Sequence, residues 1–144
     1  MVWVVIGIML VIWEEIKDKR ELIALFTGVA LSLISIELIL KNLVGRLRPE
    51  FTLPARVLDF SFNSFSFPSS HTTIAFACAY ILSVKHKKLK YGYYLLALLI
   101  SFSRIYLGKH YPSDVVVGTL LGILIGFSSV RLVPKLIKSY SKKL

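Results

Sequence analysis

The sequence predicts an all-α membrane protein: a polytopic transmembrane helix bundle of about five segments, with its chemistry gathered at helix ends on the extracytoplasmic face. Three observations predict it. The 144 residues are 56% hydrophobic, with a mean hydropathy of +0.70, too apolar for a soluble domain of this length. The apolar residues fall in long blocks. The basic residues are concentrated in the connections between those blocks and at the C-terminus, so the formal net charge of +10 reads as a positive-inside bias or an attraction to anionic lipid. No groove-reading helix or aromatic stacking module accompanies that charge, which excludes a nucleic-acid partner. The single cysteine, Cys78, excludes an internal disulfide and argues against a cysteine-rich metal site. It reads as a buried small hydrophobe.

Val2 to Trp13 is apolar but only about 18 Å long as a helix. It lacks the basic start and small-residue cleavage site of a signal peptide. Extended through Ile16, it is expected to be a short or incomplete first membrane segment, and a missing upstream helix would account for its length. Glu14 to Glu21 is a charged connection. Leu22 to Leu40 is a strong spanning segment, about 28 Å as a helix. It carries Glu37 near its exit, followed by Lys41, Asn42, Arg46 and Arg48. Pro49 is expected to end the helix just after Arg48, leaving Lys41 and Arg48 on one face. An acidic residue inside a membrane segment is a functional candidate. Glu37 also stands four residues before Lys41, in the favourable order for an ion pair, and that pairing is the preferred reading.

Glu50 to Pro68 is a loop containing Pro54, Pro68 and the alternating run Phe60 to Phe67. The alternation could make a short strand. In a membrane protein an interfacial lid is preferred, with the phenylalanines anchored among headgroups. Ser69-Ser70-His71-Thr72 opens a third segment that runs to Val84. Proline and hydroxyls before an apolar run mark a helix start, and capping leaves His71 unexplained. Lys85 to Lys90 is a basic turn in which His86 is solvated. Tyr91 to Ser103 is a fourth segment, ending around Leu107. Val115 to Val133 is the fifth, with Gly118, Gly122 and Gly126 spaced for close helix approach. A lysine-rich tail follows from Arg131.

With five spans, the 85–90 turn and the tail share the cytoplasmic side. The loop at 45–70 and the stretch at 104–114 then meet on the opposite face. Ser103 to Asp114 is a polar, mixed-charge interval holding Arg104, Lys109, His110 and Asp114. Pro112 suits a first helical turn and Ser113 an N-cap, so a helix is expected to start near Pro112 to Asp114. His110 then lies at the positive end of a helix, beside a carboxylate that can fix its tautomer. That placement suits a histidine that attacks or holds a phosphate. Lys41, Arg48 and Arg104 can converge there with His71 and His110. Such a cluster is built for an anion on a lipid headgroup.

Three motifs have now appeared in order: Lys41 with Arg48-Pro49, then Pro68-Ser69-Ser70-His71, then Ser103-Arg104 with His110 and Asp114. Together they resemble the motifs of the phosphatidic acid phosphatase type 2 superfamily of membrane lipid phosphatases. The resemblance spans 41–114, the motif core of a single membrane-embedded domain, 1–144. It implies that His110 is the nucleophile, giving a phosphohistidine, and that Asp114 hydrogen-bonds the other ring nitrogen. His71 would protonate the leaving oxygen and then activate water. Lys41, Arg48 and Arg104, with Ser69, Ser70 and the local backbone amides, would hold the phosphoryl oxygens. With this charge in place no metal or other cofactor is required, and the chain lacks a carboxylate cluster suited to magnesium. Ser70 stands where the family usually has glycine. A positive φ there would strain serine. Many members also have six spans.

The resemblance implies an integral-membrane lipid phosphatase. An extracytoplasmic site favours an isoprenoid diphosphate such as undecaprenyl diphosphate. Phosphatidylglycerophosphate, phosphatidate or a lipid A phosphate would fit the same residues. A lipid phosphotransferase using the same histidine is one alternative, and a non-enzymatic lipid-binding or transport subunit is another. Similar motifs hold vanadate in soluble haloperoxidases, against which the long apolar spans count strongly. The oligomeric state is left open.

Overall fold

A computed structural model of the chain describes residues 19–49 and 65–141. The expected first segment, the start of the charged connection and most of the proposed lid therefore lie outside the described residues. Helix α1, Lys19–Leu33, runs without a break into a π-helical stretch, Ile34–Leu40, and then a short helix α2, Lys41–Val44. In the π-helical stretch the ladder reaches five residues back, as from the Lys41 amide to the Ile36 carbonyl. Asn42 Nδ2 donates to the Leu38 carbonyl at 3.0 Å, bracing this wider turn.

The helix stops at Gly45, not after Arg48 as Pro49 led us to expect. Gly45 adopts the left-handed conformation (φ 61°), and its amide bonds the Lys41 carbonyl at 2.9 Å. The chain has thus left the helix before the restriction imposed by Pro49 acts. Lys41 and Arg48 consequently do not share a helix face. Leu47 instead pairs with Phe65 in an isolated antiparallel bridge. In the described part of the Phe60 to Phe67 run, that bridge is all that remains of the strand alternative.

Helix α3, Ser70–Lys85, is followed by a 3-10 turn, Lys87–Leu89, and by α4, Lys90–Tyr106. Gly108 (φ 66°) ends α4. Its amide bonds the Ile105 carbonyl at 2.9 Å, and the Lys109 amide bonds the Arg104 carbonyl at 3.1 Å. This Schellman arrangement turns the chain sharply and sets His110 beside the helix end. Helix α5, Pro112–Ser141, runs past the expected limit at Val133. Its start is capped by Asp114, whose Oδ2 accepts the Tyr111 amide at 2.9 Å, while Ser113 lies inside the helix and is not the cap.

Helix α3 is the centre of the bundle, packing on α5, α4 and α1, and α5 also packs on α1. The glycine spacing in α5 matches a backbone ladder on α3. A Cβ at Gly118, Gly122 or Gly126 would come within 2.9, 2.5 and 2.8 Å of the carbonyls of Ser69, Thr73 and Ala77. Side chains cannot fit there, so the two backbones touch. Elsewhere Phe76, Ala79 and Ala97 pack together, as do Ala24, Ile81 and Val133.

Large apolar side chains such as Phe26, Leu38, Leu95, Phe102 and Leu120 point outward, while Ser32, Thr72, Thr73, Ser101 and Ser129 are buried. Ser32, Ser101 and Ser129 each donate to the carbonyl four residues earlier. This distribution suits a lipid solvent. Among the described residues, Leu22–Val44 and Pro112–Val133 are long and apolar enough to cross a membrane, with mean hydropathies of 2.3 and 2.0. Only 22% of each is buried within the chain, unlike a soluble core helix. Helices α3 and α4 have 16 and 17 residues, about 24 and 26 Å.

Candidate active site

The residues singled out from the sequence meet at one end of the bundle. The end of α1–α2, the strand-like 46–48 stretch, the start of α3 and the α4–α5 connection converge there. Backbone bonds knit them together: the Ser66 amide to the Arg46 carbonyl at 2.7 Å, and the Ser69 amide to the Asp114 carbonyl at 3.1 Å.

His110 lies in the α4–α5 connection and is only 4% exposed. Its Nδ1 is 2.8 Å from the Ser66 carbonyl oxygen and 3.6 Å from Asp114 Oδ2. A carbonyl can only accept, so Nδ1 carries the proton and Nε2 keeps its lone pair. Burial pushes the His110 pKa below its ordinary value, and Arg48 adds to this. Asp114 and the Ser66 carbonyl act in the opposite sense without reversing it. The ring is thereby held neutral. The acceptor on Nδ1 is thus a backbone carbonyl, where the sequence reading placed Asp114. At 3.6 Å the carboxylate is too far for a good hydrogen bond. It is close enough to stabilise positive charge on the ring.

Asp114 is fully buried and held from both sides. Oδ2 accepts the Tyr111 amide, and Oδ1 accepts Arg46 Nη1 at 2.9 Å. The same Nη1 donates to Ser113 Oγ at 2.7 Å, and the Arg46 guanidinium carbon lies 4.0 Å from the Tyr111 ring centroid.

Lys41, 3% exposed, pairs with Glu37 Oε1 at 2.7 Å. This is the ion pair that the sequence spacing suggested. Ser70 Oγ donates to the same oxygen. Ser70 is the first residue of α3, and among the described residues no non-glycine residue has a positive φ, so serine is unstrained there. Arg48 is buried and donates to the Lys109 carbonyl at 3.2 Å. Arg104 Nε is the one buried side-chain nitrogen or oxygen without a hydrogen-bond partner among the described residues. An unsatisfied buried donor costs on the order of 1–3 kcal/mol. His71 is exposed on the first turn of α3, within electrostatic reach of Arg104, His110, Lys41 and Arg48. Ser69 Oγ accepts Thr72 Oγ1 at 3.1 Å, and the Ser69 amide is taken by Asp114. That amide is therefore not open to a phosphoryl group, contrary to the sequence reading of the local amides. Among the described residues no group of three or more His, Cys, Asp or Glu side chains could hold a metal ion.

Sequence reasoning missed two participants, Arg46 and Ser66. The Gly45 preceding Arg46 is the only local signal that it leaves the helix. Nothing local marks the Ser66 carbonyl.

A helical bundle with cations and two histidines gathered at its helix ends is the class of protein that fold and site define. Comparison with known proteins narrows this. The PAP2 superfamily profile matches residues 21–138, and the chain belongs to that superfamily. It is 31% identical to the bacitracin transport permease protein BcrC of Bacillus licheniformis, over 89% of this chain and 64% of that protein. It is also 31% identical to an undecaprenyl-diphosphatase of Sulfolobus acidocaldarius, over 91% of this chain and 63% of the relative. The chain therefore spans slightly under two thirds of the length of these relatives. The crystal structure of Aquifex aeolicus LpxE superposes with a TM-score of 0.75 and 35% identity, covering 88% of this chain and 76% of that one. A transmembrane PAP2-type phosphatidylglycerolphosphate phosphatase from Bacillus subtilis superposes with a TM-score of 0.55 and 33% identity, covering 86% and 58%.

Proposed function

We propose that this chain is a multi-pass, metal-independent lipid phosphatase that works through a phosphohistidine on His110. The observation that carries this reading is the His110 ring. Its Nδ1–H donates a hydrogen bond to the Ser66 carbonyl, and Nε2 is left as a neutral nucleophile beside fixed cations. His110 Nε2 attacks phosphorus and forms a P–N bond as the P–O bond to the leaving group breaks. Binding of the phosphoryl anion among the cations around His71 lets that ring take up a proton, which it gives to the departing oxygen. Water then attacks phosphorus, His71 takes its proton, and the P–N bond breaks to release phosphate and restore both rings. Lys41, Arg48 and Arg104 offset the charge on the equatorial oxygens, with Arg104 Nε the donor awaiting an acceptor. Ser69 and Ser70 shape the site from the start of α3. Asp114 stabilises the imidazolium as it forms.

The site faces the extracytoplasmic side in this reading, because Lys85, Lys87, Lys88 and Lys90 lie at the other end of α3 and α4. That placement favours an isoprenoid diphosphate such as undecaprenyl diphosphate. Phosphatidylglycerophosphate and phosphatidate are the next candidates, and membrane lipids are the expected surroundings. The name of the B. licheniformis relative favours one other reading, a lipid-binding transport subunit. A pure binder has no use for a tautomer-locked histidine.

The test is phosphate release by the detergent-purified chain in EDTA, with the three lipids offered in parallel and His110→Ala as control. Release that survives EDTA and disappears in the variant is expected. Equal release by the variant would identify a different nucleophile. Phosphate-analogue binding without turnover would favour the transport subunit.

A further inference from the structure

Arg46 takes no part in the reaction just described, yet it contacts both Asp114 and Ser66, the two residues beside His110 Nδ1. Its side chain holds Asp114 Oδ1 at 2.9 Å and Ser113 Oγ at 2.7 Å, and it stacks on Tyr111. Its backbone carbonyl accepts the Ser66 amide at 2.7 Å and Ser66 Oγ at 3.3 Å. Ser66 in turn supplies the carbonyl bonded to His110 Nδ1. Both residues that face Nδ1 are therefore tethered to Arg46, Asp114 through its far carboxylate oxygen Oδ1 and Ser66 through its amide and hydroxyl.

Building on the phosphatase reading, we propose that Arg46 is a positioning residue for the attacking histidine and acts through Asp114. It is not a fourth phosphate ligand. The charges that act most strongly on His71 are Arg104, His110, Lys41 and Arg48. Arg46 acts on Asp114 instead. The two arginines of the 46–48 stretch are thus divided between tasks, Arg48 beside the histidines and Arg46 behind them. Both follow the helix end at Gly45, and each finds its own partner, Arg48 the Lys109 carbonyl and Arg46 the Asp114 carboxylate. Had the helix continued through this stretch, they would have been about 200° apart with a different set of neighbours.

Asp114 is fully buried, whereas the Arg46 side chain is 37% exposed. Losing Arg46 leaves a buried carboxylate without its charged partner, free to turn away from the ring or to take up a proton. Either outcome removes the charge that stabilises the imidazolium in the transition state. The geometry also favours arginine over lysine, because a planar guanidinium can stack on Tyr111 while donating in its plane.

The experiment measures kcat, KM and product inhibition by inorganic phosphate of the purified full chain, with phosphate reporting the anion pocket. Arg46→Met is expected to lower kcat by about tenfold or more, with KM and the phosphate inhibition constant changed less than about threefold. Arg46→Lys is expected to recover part of the lost kcat. In an Asp114→Asn background the same Arg46→Met change should cost less than about threefold further. Unchanged kcat in Arg46→Met would overturn the proposal. So would a phosphate constant that weakens in step with kcat, or fully additive losses in the double variant. If Arg46→Met fails to give a monodisperse, cooperatively melting protein, Arg46→Lys carries the test. A kcat loss with the phosphate constant unchanged supports the proposal, and a weakened phosphate constant with kcat unchanged overturns it. Wild-type protein lacking His110-dependent release would overturn the phosphatase reading itself, a result obtained before any Arg46 variant is assayed.

Discussion

The Ser66 carbonyl lies 2.8 Å from His110 Nδ1, across a sequence separation of 44 residues, and it decides which ring nitrogen is free to attack. A backbone acceptor cannot be protonated in the physiological range, so the tautomer does not depend on pH in the way a carboxylate partner would make it. Asp114, at 3.6 Å, is left to respond to charge on the ring.

Removing either histidine should therefore have separable effects. His110→Ala is expected to abolish phosphate release and any acid-labile phosphoenzyme. His71→Ala should slow release by about 10²- to 10⁴-fold, the usual range for general acid–base catalysis. A rapid-quench experiment with radiolabelled lipid phosphate checks both. Labelled protein that persists in His110→Ala would rule out this nucleophile.

The acidic limb of kcat/KM should fall below pH 6.5. His110 must be neutral to attack, and its pKa lies below the ordinary 6.5 because burial and Arg48 disfavour the cation. Activity is then retained as pH falls through 6.5 and is lost only on reaching the lower folded value. A pH profile in detergent, with the substrate phosphate titrated alongside, tests this. A His110-dependent limb above 6.5 would contradict the burial argument.

Gly122→Ala should destabilise the bundle by about 1–3 kcal/mol, as overpacking does. Its Cβ would sit 2.5 Å from the Thr73 carbonyl and 2.9 Å from Phe76 Cβ, forcing α5 away from α3. Gly92→Ala is the control, since nothing lies within 4 Å of the added carbon. Thermal melting in one detergent compares them. Equal Tm values would show that the backbone contact is dispensable.

Glu37→Gln should leave Lys41 buried without its counter-charge and lower Tm. Orthovanadate supplies negative charge at the same place, so it should raise the Tm of the variant more than that of the wild type. Equal vanadate shifts would place Lys41 outside the anion pocket.

Much of the site was legible along the chain. Helix starts at Ser70 and Pro112, the Glu37–Lys41 spacing and the glycine stripe of α5 are properties of a few adjacent residues. The end of α2 was also written locally, in Gly45, but the proline four residues later drew the boundary too far. The convergence of the motifs could be inferred only as a shared face. Which nitrogen faces which oxygen could not be inferred, because the spans approach to within backbone contact and small shifts exchange hydrogen-bond partners.

By itself, the sequence determined a helical membrane bundle, the ends of the bundle at which its charges collect, and the two histidines poised there. Hydropathy, helix caps and i,i+4 spacing act over one or two turns, and any chain with these residues would express them. Only the tertiary structure decided that Ser66 sets the His110 tautomer and that Arg46 holds Asp114. Those contacts join residues 44 and 68 positions apart. They exist because glycines in α5 let it seat against α3, bringing three separate chain segments within hydrogen-bond reach.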